Sequence, residues 1–312
     1  MFFIVTSFKI NEKIEKGVIS KINEKKRMLG KTMNNAREMV VTDLDGTLLQ
    51  TWRKVSNADI DTLEKLQQRG IIRVVATGRS FYSVSSVLKS GFPIDYLIFS
   101  SGAGIILWST KKIISKHGMG AEDVRFAVNI LIDLCIDFMV HKPIPLNHHF
   151  VYYESGRRNP DFFRRCDIYR RYGVREDFSS FQFGAACQIV AIVPPEDGHS
   201  IYSHLKKTLH TLKVIRTTSP IDGSSVWIEI FPPEVSKASA AEWICQQCGV
   251  SQKSVLAVGN DYNDLDLLAW AQAAFLVENA PEELKNKFKT VGSNNESGFT
   301  EAVERWIGKK NW

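Results

Sequence analysis

Two carboxylates separated by one residue are the first feature of this chain that can do chemistry. Asp43 and Asp45 lie in the segment DLDGT, which follows directly on the short apolar run 39–42. Such a run is typical of a buried parallel strand, and loops at the carboxyl ends of parallel strands face the ligand. Because two close carboxylates repel each other, we expect a cation between them, and Mg²⁺ prefers such oxygen ligands. A metal-held, partly desolvated carboxylate can accept a phosphoryl group.

Two further polar loops are expected to converge on the same place. The apolar runs 71–76 and 96–99 predict strands that end in the segments TGRS and SSGAG. A capped helix is predicted at 56–70 and a second helix at about 80–89, and the same alternation returns after residue 237. The alternation of strands and helices predicts an α/β fold with a Rossmann-like parallel-sheet core.

The middle of the chain interrupts this alternation. Its mixture of short strands and helices predicts an inserted α+β cap domain at 121–231. The core domain would then consist of 39–120 and 232–312. Residues 1–38, rich in Lys, Glu and Asn, are predicted to form a disordered or helical N-terminal extension.

Composition and charge set broad limits on function. The 312 residues carry a net charge of +6, which suits an anionic small substrate. We expect no nucleic-acid partner, because the positive surplus is modest and such binding would need a concentrated basic face with aromatic or groove-reading elements. We expect no membrane span, because no apolar run approaches about 18 residues. The five cysteines are scattered and no secretory signal is evident, which favours a cytoplasmic protein. We expect a monomer or a homodimer.

Four segments resemble, in order and spacing, the four motifs of the haloacid dehalogenase superfamily. The inserted segment and ENAPEEL at 278–284 make the chain similar to the Cof-like branch, which includes sugar-phosphate and sucrose-phosphate-type phosphatases. This resemblance covers about 39–308 and implies a Mg²⁺-dependent phosphatase that forms an aspartyl-phosphate. The four segments are DLDGT at 43–47, ATGR at 76–79, SKASA at 236–240 and GNDYND at 259–264.

The resemblance implies a role for each matching residue. Asp43 would be the nucleophile and a metal ligand. Asp45 would be the general acid and then the base, with its backbone carbonyl facing the metal. Thr77 would donate a hydrogen bond to the transferring phosphoryl group, Lys237 would neutralise its charge, and Asp264 would help to hold Mg²⁺. Together these groups supply the positioning and charge compensation that phosphoryl transfer needs.

Five more residues are candidates for binding the phosphate or the substrate. Gly46 permits a tight turn, Thr47 offers a hydroxyl or a backbone N–H, and Gly78 belongs to the second motif. Arg79 either contacts the substrate or braces the core by pairing with an acid. Asn279 matches the Asn of the family's NAPEEL segment and would support the metal or phosphate loop.

One position departs from the family pattern. The fourth motif usually reads GDxxND, whereas this chain has Asn260 in place of the first Asp, with Asp261 directly after it. Either Asn260 binds the metal through its amide oxygen, or the loop shifts so that Asp261 binds it. With Asn260 the site carries one negative charge less, and we expect a weaker affinity for the metal.

The predicted cap contains a strongly basic stretch at 157–175. It carries paired arginines at 157–158, 164–165 and 170–171. One interpretation is a basic face for a polyanionic or multi-hydroxyl substrate, and the other is a solvated helix whose aromatic residues pack inward.

Three functions are compatible with these residues. The leading hypothesis is a phosphomonoester hydrolase for a small phosphorylated metabolite of the sugar-phosphate class. A phosphosugar mutase is the alternative enzyme, because it would return the phosphoryl group to a bound sugar rather than to water. A non-catalytic binding protein on the same scaffold has only Asn260 in its favour.

Overall fold

The computed structural model describes residues 37–157 and 159–308. The N-terminal extension predicted at 1–38 therefore lies almost entirely outside the described residues. Within them the chain forms one β-sheet of eight strands and one of six, here called the larger and the smaller sheet.

The strands are numbered in chain order. They are β1 (Arg37–Asp43), β2 (Ile72–Ala76), β3 (Tyr96–Phe99), β4 (Gly104–Leu107), β5 (Lys112–Lys116), β6 (Phe138–His141), β7 (Phe150–Tyr153), β8 (Gly173–Arg175), β9 (Gln188–Val193), β10 (Lys213–Thr218), β11 (Val226–Phe231), β12 (Val250–Gly259), β13 (Ala273–Val277) and β14 (Lys289–Val291).

The α-helices of the described residues are numbered in the same way. They are α1 (Asn57–Gln68), α2 (Phe81–Val84), α3 (Ala121–Asp133), α4 (Pro160–Ile168), α5 (Pro195–Thr208), α6 (Lys237–Cys248), α7 (Leu265–Trp270), α8 (Glu282–Lys285) and α9 (Gly298–Ile307). None of them is long and apolar enough to cross a membrane.

The larger sheet has the order β14-β13-β12-β1-β2-β3-β4-β5. The first six strands of this order pair in parallel, and β4 and β5 add an antiparallel hairpin at one edge. Successive residues of β1 enter opposite apolar cores, since Val40 lies with Leu63 and Phe299 on one face and Val41 lies with Ile244 on the other. This arrangement confirms the predicted α/β fold with a parallel-sheet core.

The central position of β1 brings the chemical loops together. Its neighbours are β2 and β12, and in the ladder Asp43 at the end of β1 stands opposite Ala76 at the end of β2. The loops that begin at Asp43, Thr77 and Asn260 therefore leave the same edge of the sheet from three adjacent strands.

The smaller sheet has the order β10-β11-β9-β6-β7-β8 and is antiparallel except between β7 and β8. One face packs against α3 and α5, and the other carries Met139, Phe162 and Trp227. These elements form the inserted α+β part of the fold. The boundaries that we predict for the cap, 121–231, stay a prediction.

The helix predicted at about 80–89 is shorter than expected, because only α2 is helical there. The hydroxyl groups of Ser85 and Ser86 donate to the carbonyl oxygens of Phe81 and Ser83. Serine side chains of this kind compete with the helical hydrogen-bond ladder, and the segment continues as turns instead.

Helices α1 and α9 are joined by a buried carboxylate. Asp59, which is 0% exposed, accepts hydrogen bonds from the hydroxyl of Ser56 and from both the backbone N–H and the hydroxyl of Thr300. Removing a buried acceptor leaves its donors without partners.

We expect Asp59→Ala to lower the free energy of unfolding by about 1–3 kcal/mol, measured by chemical denaturation. Asp61→Ala is the matched control, because Asp61 lies in the same helix but is exposed. Equal stability of the two variants would contradict this account of Asp59.

Candidate active site

A buried lysine joins the ends of two strands. Lys237, the first residue of α6, has a fully buried side chain, and its Nζ donates to Oδ1 of Asp43 at 2.7 Å and to Oδ1 of Asp264 at 2.6 Å. Asp43 is itself only 4% exposed. The structure therefore brings together the first, third and fourth of the sequence motifs.

The electrostatics of this cluster are dominated by burial. Burial raises the pKa of Asp43, the charge of Lys237 lowers it, and the nearby charges of Asp264 and Asp45 raise it further, so the pKa lies above its ordinary value. Burial alone would lower the pKa of Lys237, but Asp264 and Asp43 outweigh it and raise that pKa. Lys237 is thus a permanent cation, while Asp43 needs more positive charge nearby to stay ionised.

Oδ2 of Asp43, the oxygen that Lys237 does not contact, lies in an oxygen-rich place close to oxygen atoms of two other residues. The amide of Asn260 fits its surroundings when its nitrogen faces Asp43 Oδ2 at 3.2 Å, the backbone oxygen of Asp45 at 3.1 Å and Thr47 Oγ1 at 3.1 Å. Three oxygens from three residues thus surround one amide group.

This donor set fits Mg²⁺. A carboxylate, a peptide carbonyl and the amide oxygen of Asn260, turned toward the ion, would supply three oxygen ligands, and Mg²⁺ commonly keeps waters for the rest. Within residues 37–157 and 159–308 no group of three or more His, Cys, Asp or Glu side chains could hold a metal ion. A metal at this place would therefore need amide and carbonyl oxygens in addition to the carboxylate of Asp43.

Gly46 and Asn279 shape the loop around these oxygens. Gly46 has a φ of +75°, which favours glycine, and a Cβ on it would lie 2.7 Å from the end of the Asn260 amide group. Asn279 donates to the Gly46 carbonyl at 2.8 Å and accepts from the backbone N–H of Asn294. These contacts hold the loop at Gly46, while a role of Asn279 in binding the metal or the phosphate stays a prediction.

Two of the predicted metal ligands, Asp264 and Asp261, form hydrogen bonds with other groups of the protein. Besides accepting from Lys237, Asp264 accepts through Oδ2 from the backbone N–H groups of Asn260 and Asp261, so it positions the lysine and the loop. Asp261 accepts from the hydroxyl of Thr217 at 2.8 Å and from the N–H and hydroxyl of Thr218 at 2.7 and 3.0 Å. Of the two alternatives, the contacts therefore favour Asn260 over Asp261 as a ligand.

Asp45 is paired with Arg79. Both carboxylate oxygens accept from the guanidinium group at 2.6 Å, and Arg79 also donates to Ser83 Oγ at 3.0 Å. Of the two interpretations of Arg79 from the sequence, the structure shows the pairing with an acid. The Asp45 side chain keeps about a third of its surface exposed, so it remains open to a bound molecule.

The loop after β2 supplies a hydroxyl group. Thr77 is 1% exposed, and its Oγ1 accepts from the backbone N–H of Arg79 at 3.1 Å. Because that contact uses an acceptor position, the hydroxyl proton is available to a phosphoryl oxygen. Gly78 lies between Thr77 and Arg79. Because it has no side chain, the loop can lie close to Glu229 and Asn263 on its other side.

One residue that lies opposite this loop was not predicted from the sequence. Glu229, in β11 of the smaller sheet, is 4% exposed and accepts from Ser101 Oγ at 2.6 Å. A Cβ on Gly78 would lie 3.7 Å from Glu229 Oε1 and 3.8 Å from Asn263 Nδ2. The signal available in the sequence was a single acid within the apolar run VWIEIF.

The family model and the relatives that match this chain identify the class of the protein as a phosphatase. The chain belongs to the haloacid dehalogenase-like hydrolase family, whose model it matches over residues 40–303. This confirms the resemblance stated from the four motifs, including the Cof-like branch.

Several proteins of this kind are similar over almost their whole length. The putative phosphatase YxeH of Bacillus subtilis is 25% identical over 86% of this chain and 98% of its own. The 5-amino-6-(5-phospho-D-ribitylamino)uracil phosphatase YwtE of the same organism is 24% identical over 86% and 97%. Among solved structures, the phosphatase BT1666 from Bacteroides thetaiotaomicron has the same fold, with a TM-score of 0.70, 22% identity and coverage of 88% and 97%.

Helix α6, which carries Lys237, begins against a glycine. Gly102 has a φ of +109°, and a Cβ on it would lie 2.2 Å from the carbonyl oxygen of Ser236, the residue that caps α6. Neither the backbone conformation nor the space admits a side chain.

We expect Gly102→Ala to displace the start of α6 and to destabilise the fold by about 1–3 kcal/mol, with a loss of phosphatase activity. Thermal unfolding and phosphate release measure the two effects. Gly91→Ala is the control, because no atom lies within 4 Å of the added Cβ. A stable, fully active Gly102→Ala protein would disprove the close contact.

Proposed function

We propose that this protein is a Mg²⁺-dependent phosphomonoester hydrolase that transfers the phosphoryl group to Asp43 and then to water. The observation that carries the proposal is the environment of Asp43, with Lys237 at one oxygen and the oxygen-rich place around Asn260 at the other. Asp43, Asn260 and the backbone carbonyl of Asp45 would hold the ion. Bound Mg²⁺ would offset the negative charge of Asp43 and of the phosphoryl group.

In the first half of the reaction Asp43 attacks the phosphorus and the bond to the ester oxygen breaks. Asp45, as the acid, gives its proton to the leaving oxygen. In the second half water attacks the phosphorus of the aspartyl-phosphate and gives a proton to Asp45. Inorganic phosphate leaves, and Asp43 returns to its carboxylate form.

The other residues orient these steps. Lys237 and the Thr77 hydroxyl offset charge on the phosphoryl oxygens, together with the backbone N–H groups of the loops at Gly46–Thr47 and Gly78. Arg79 holds Asp45 in place. Because a neutral carboxyl binds a guanidinium less strongly than a carboxylate does, this pair must loosen when Asp45 carries the proton.

We propose a small phosphorylated metabolite, of the sugar-phosphate class, as the substrate. The relative YwtE supports this class, since the name of its substrate contains a phosphorylated ribityl chain. The cytoplasmic location and the choice between monomer and homodimer stay predictions.

We expect Asp43→Asn to abolish the release of phosphate from p-nitrophenyl phosphate in the presence of Mg²⁺, because an amide is no nucleophile for phosphorus. We expect Asp45→Asn to slow turnover by about 10²–10⁴-fold and to leave a phosphorylated protein that mass spectrometry detects. Asp61→Asn, on the exposed side of α1, is the control. Full activity of Asp43→Asn would remove the catalytic assignment, and activity that requires a sugar bisphosphate would favour the mutase.

The metal assignment has its own test, a titration of activity with Mg²⁺. Asn260→Asp adds a carboxylate and should lower the half-saturating Mg²⁺ concentration, whereas Asn260→Ala should raise it, each by at least about tenfold. Asp261→Asn is the matched control, because its carboxylate contacts Thr217 and Thr218 instead. A Mg²⁺ dependence that moves with Asp261 and not with Asn260 would reverse the assignment.

A further inference from the structure

One arginine of the basic stretch differs from its neighbours. The side chains of Arg164, Arg170 and Arg171 are exposed, and Arg157 and Arg175 form surface ion pairs with acids. Arg165, on α4, lies instead against the face of the smaller sheet that carries Trp227.

The guanidinium group of Arg165 is held by contacts with two aromatic rings and a sulfur atom. It lies over the ring of Trp227, with 4.3 Å to the ring centre, and 5.3 Å from the ring centre of Tyr169. Its Nε donates to the sulfur of Met139 at 3.3 Å. These contacts fix the plane of the group and use one of its five N–H donors.

No acid within the described part of the chain forms an ion pair with Arg165. The nearby Asp161 is engaged elsewhere, because it accepts from Trp227 Nε1 at 2.7 Å and from Ser219 Oγ at 3.1 Å. Burial lowers the pKa of Arg165, and the more distant charges of Tyr169 and Glu229 offset this only in part. A partly buried guanidinium with free Nη donors is well suited to bind an oxyanion.

The residues around Arg165 are linked to the candidate active site. Trp227 and Glu229 are two residues apart in β11, so their side chains leave the same face of the smaller sheet, and Glu229 reaches Ser101 and the loop at Gly78. On the other side of Arg165, Tyr169 contacts Ser83, which also accepts from Arg79. Two contacts with the loops after β2 and β3 thus come from residues near this guanidinium group, one from Glu229 of the smaller sheet and one from Tyr169 at the end of α4.

We propose that Arg165 binds a second anionic group on the leaving part of the substrate, so that the preferred substrates are phosphomonoesters that also carry a carboxylate or another phosphate. This inference rests on the proposed phosphatase function. The remote oxyanion would dock on the Nη donors of Arg165 while the ester phosphate meets Asp43 and Lys237. Arg165 would thus select the substrate and take no part in the transfer itself.

The test compares substrates that differ in one end group. 6-Phosphogluconate carries a carboxylate where sorbitol 6-phosphate carries a neutral hydroxymethyl group. Fructose 1,6-bisphosphate carries one phosphate more than fructose 6-phosphate. For at least one pair we expect kcat/KM of the wild-type protein to favour the anionic member by about 10–100-fold, the scale of one charge-assisted interaction. The pair that shows the preference identifies the oxyanion.

We expect Arg165→Met, which keeps an apolar stem against Trp227, to bring that ratio to about one. We expect Arg165→Lys to give an intermediate ratio, because an ammonium lacks the two-pronged geometry of the guanidinium. Arg164→Met, the exposed neighbour, should keep the wild-type ratio. A ratio measured on one preparation does not depend on how much of it is folded, so reduced stability of a variant cannot imitate the effect.

The outcomes separate this inference from the proposed function. If the wild-type protein releases no phosphate from p-nitrophenyl phosphate or from any of the four esters, the proposed function fails. If it hydrolyses them without favouring an anionic member, or if Arg165→Met and Arg165→Lys both keep the preference, the role of Arg165 is disproved while the phosphatase stands.

Discussion

The buried ammonium group of Lys237 is the interaction on which the rest of the site depends. It begins α6 and reaches carboxylates at the end of β1 and in the turn after β12, at 2.7 and 2.6 Å. A buried charge is costly unless it is paired, and two carboxylates on one lysine leave the cluster one negative charge in excess. That excess is what a cation beside Asp43 would neutralise. The same contact fixes the loops and leaves a negative charge that a metal ion could balance.

Much of this arrangement follows from the sequence. The short apolar strands and the polar loops that follow them predict both the parallel sheet and the edge from which the loops at Asp43 and Thr77 leave, because parallel order places every carboxyl end on one side. The length of α2 could not be read in the same way. Apolar spacing favours a longer helix, but the local hydrogen bonds of Ser85 and Ser86 end it, and propensity alone does not decide that competition.

The limits of sequence reasoning are clearest where a motif lists several acids. Asp261 and Asp264 stand in the same motif as Asn260, yet one binds threonines of β10 and the other binds a lysine and two backbone N–H groups. The side chains that contact Asp261 and Asp264 lie 27 or more residues away in the sequence, so the spacing within the motif does not indicate these contacts. Arg165 and Glu229 are further examples, since only the packing of the smaller sheet shows which charges face the loops.

The hydrogen bonds between Asp261 and β10 have a mechanical consequence. They attach the smaller sheet to Asp261, the residue that directly follows Asn260. Any movement of that sheet away from the turn must therefore break these bonds or displace the turn as well. The position of the smaller sheet and the geometry of the turn are mechanically coupled through three hydrogen bonds.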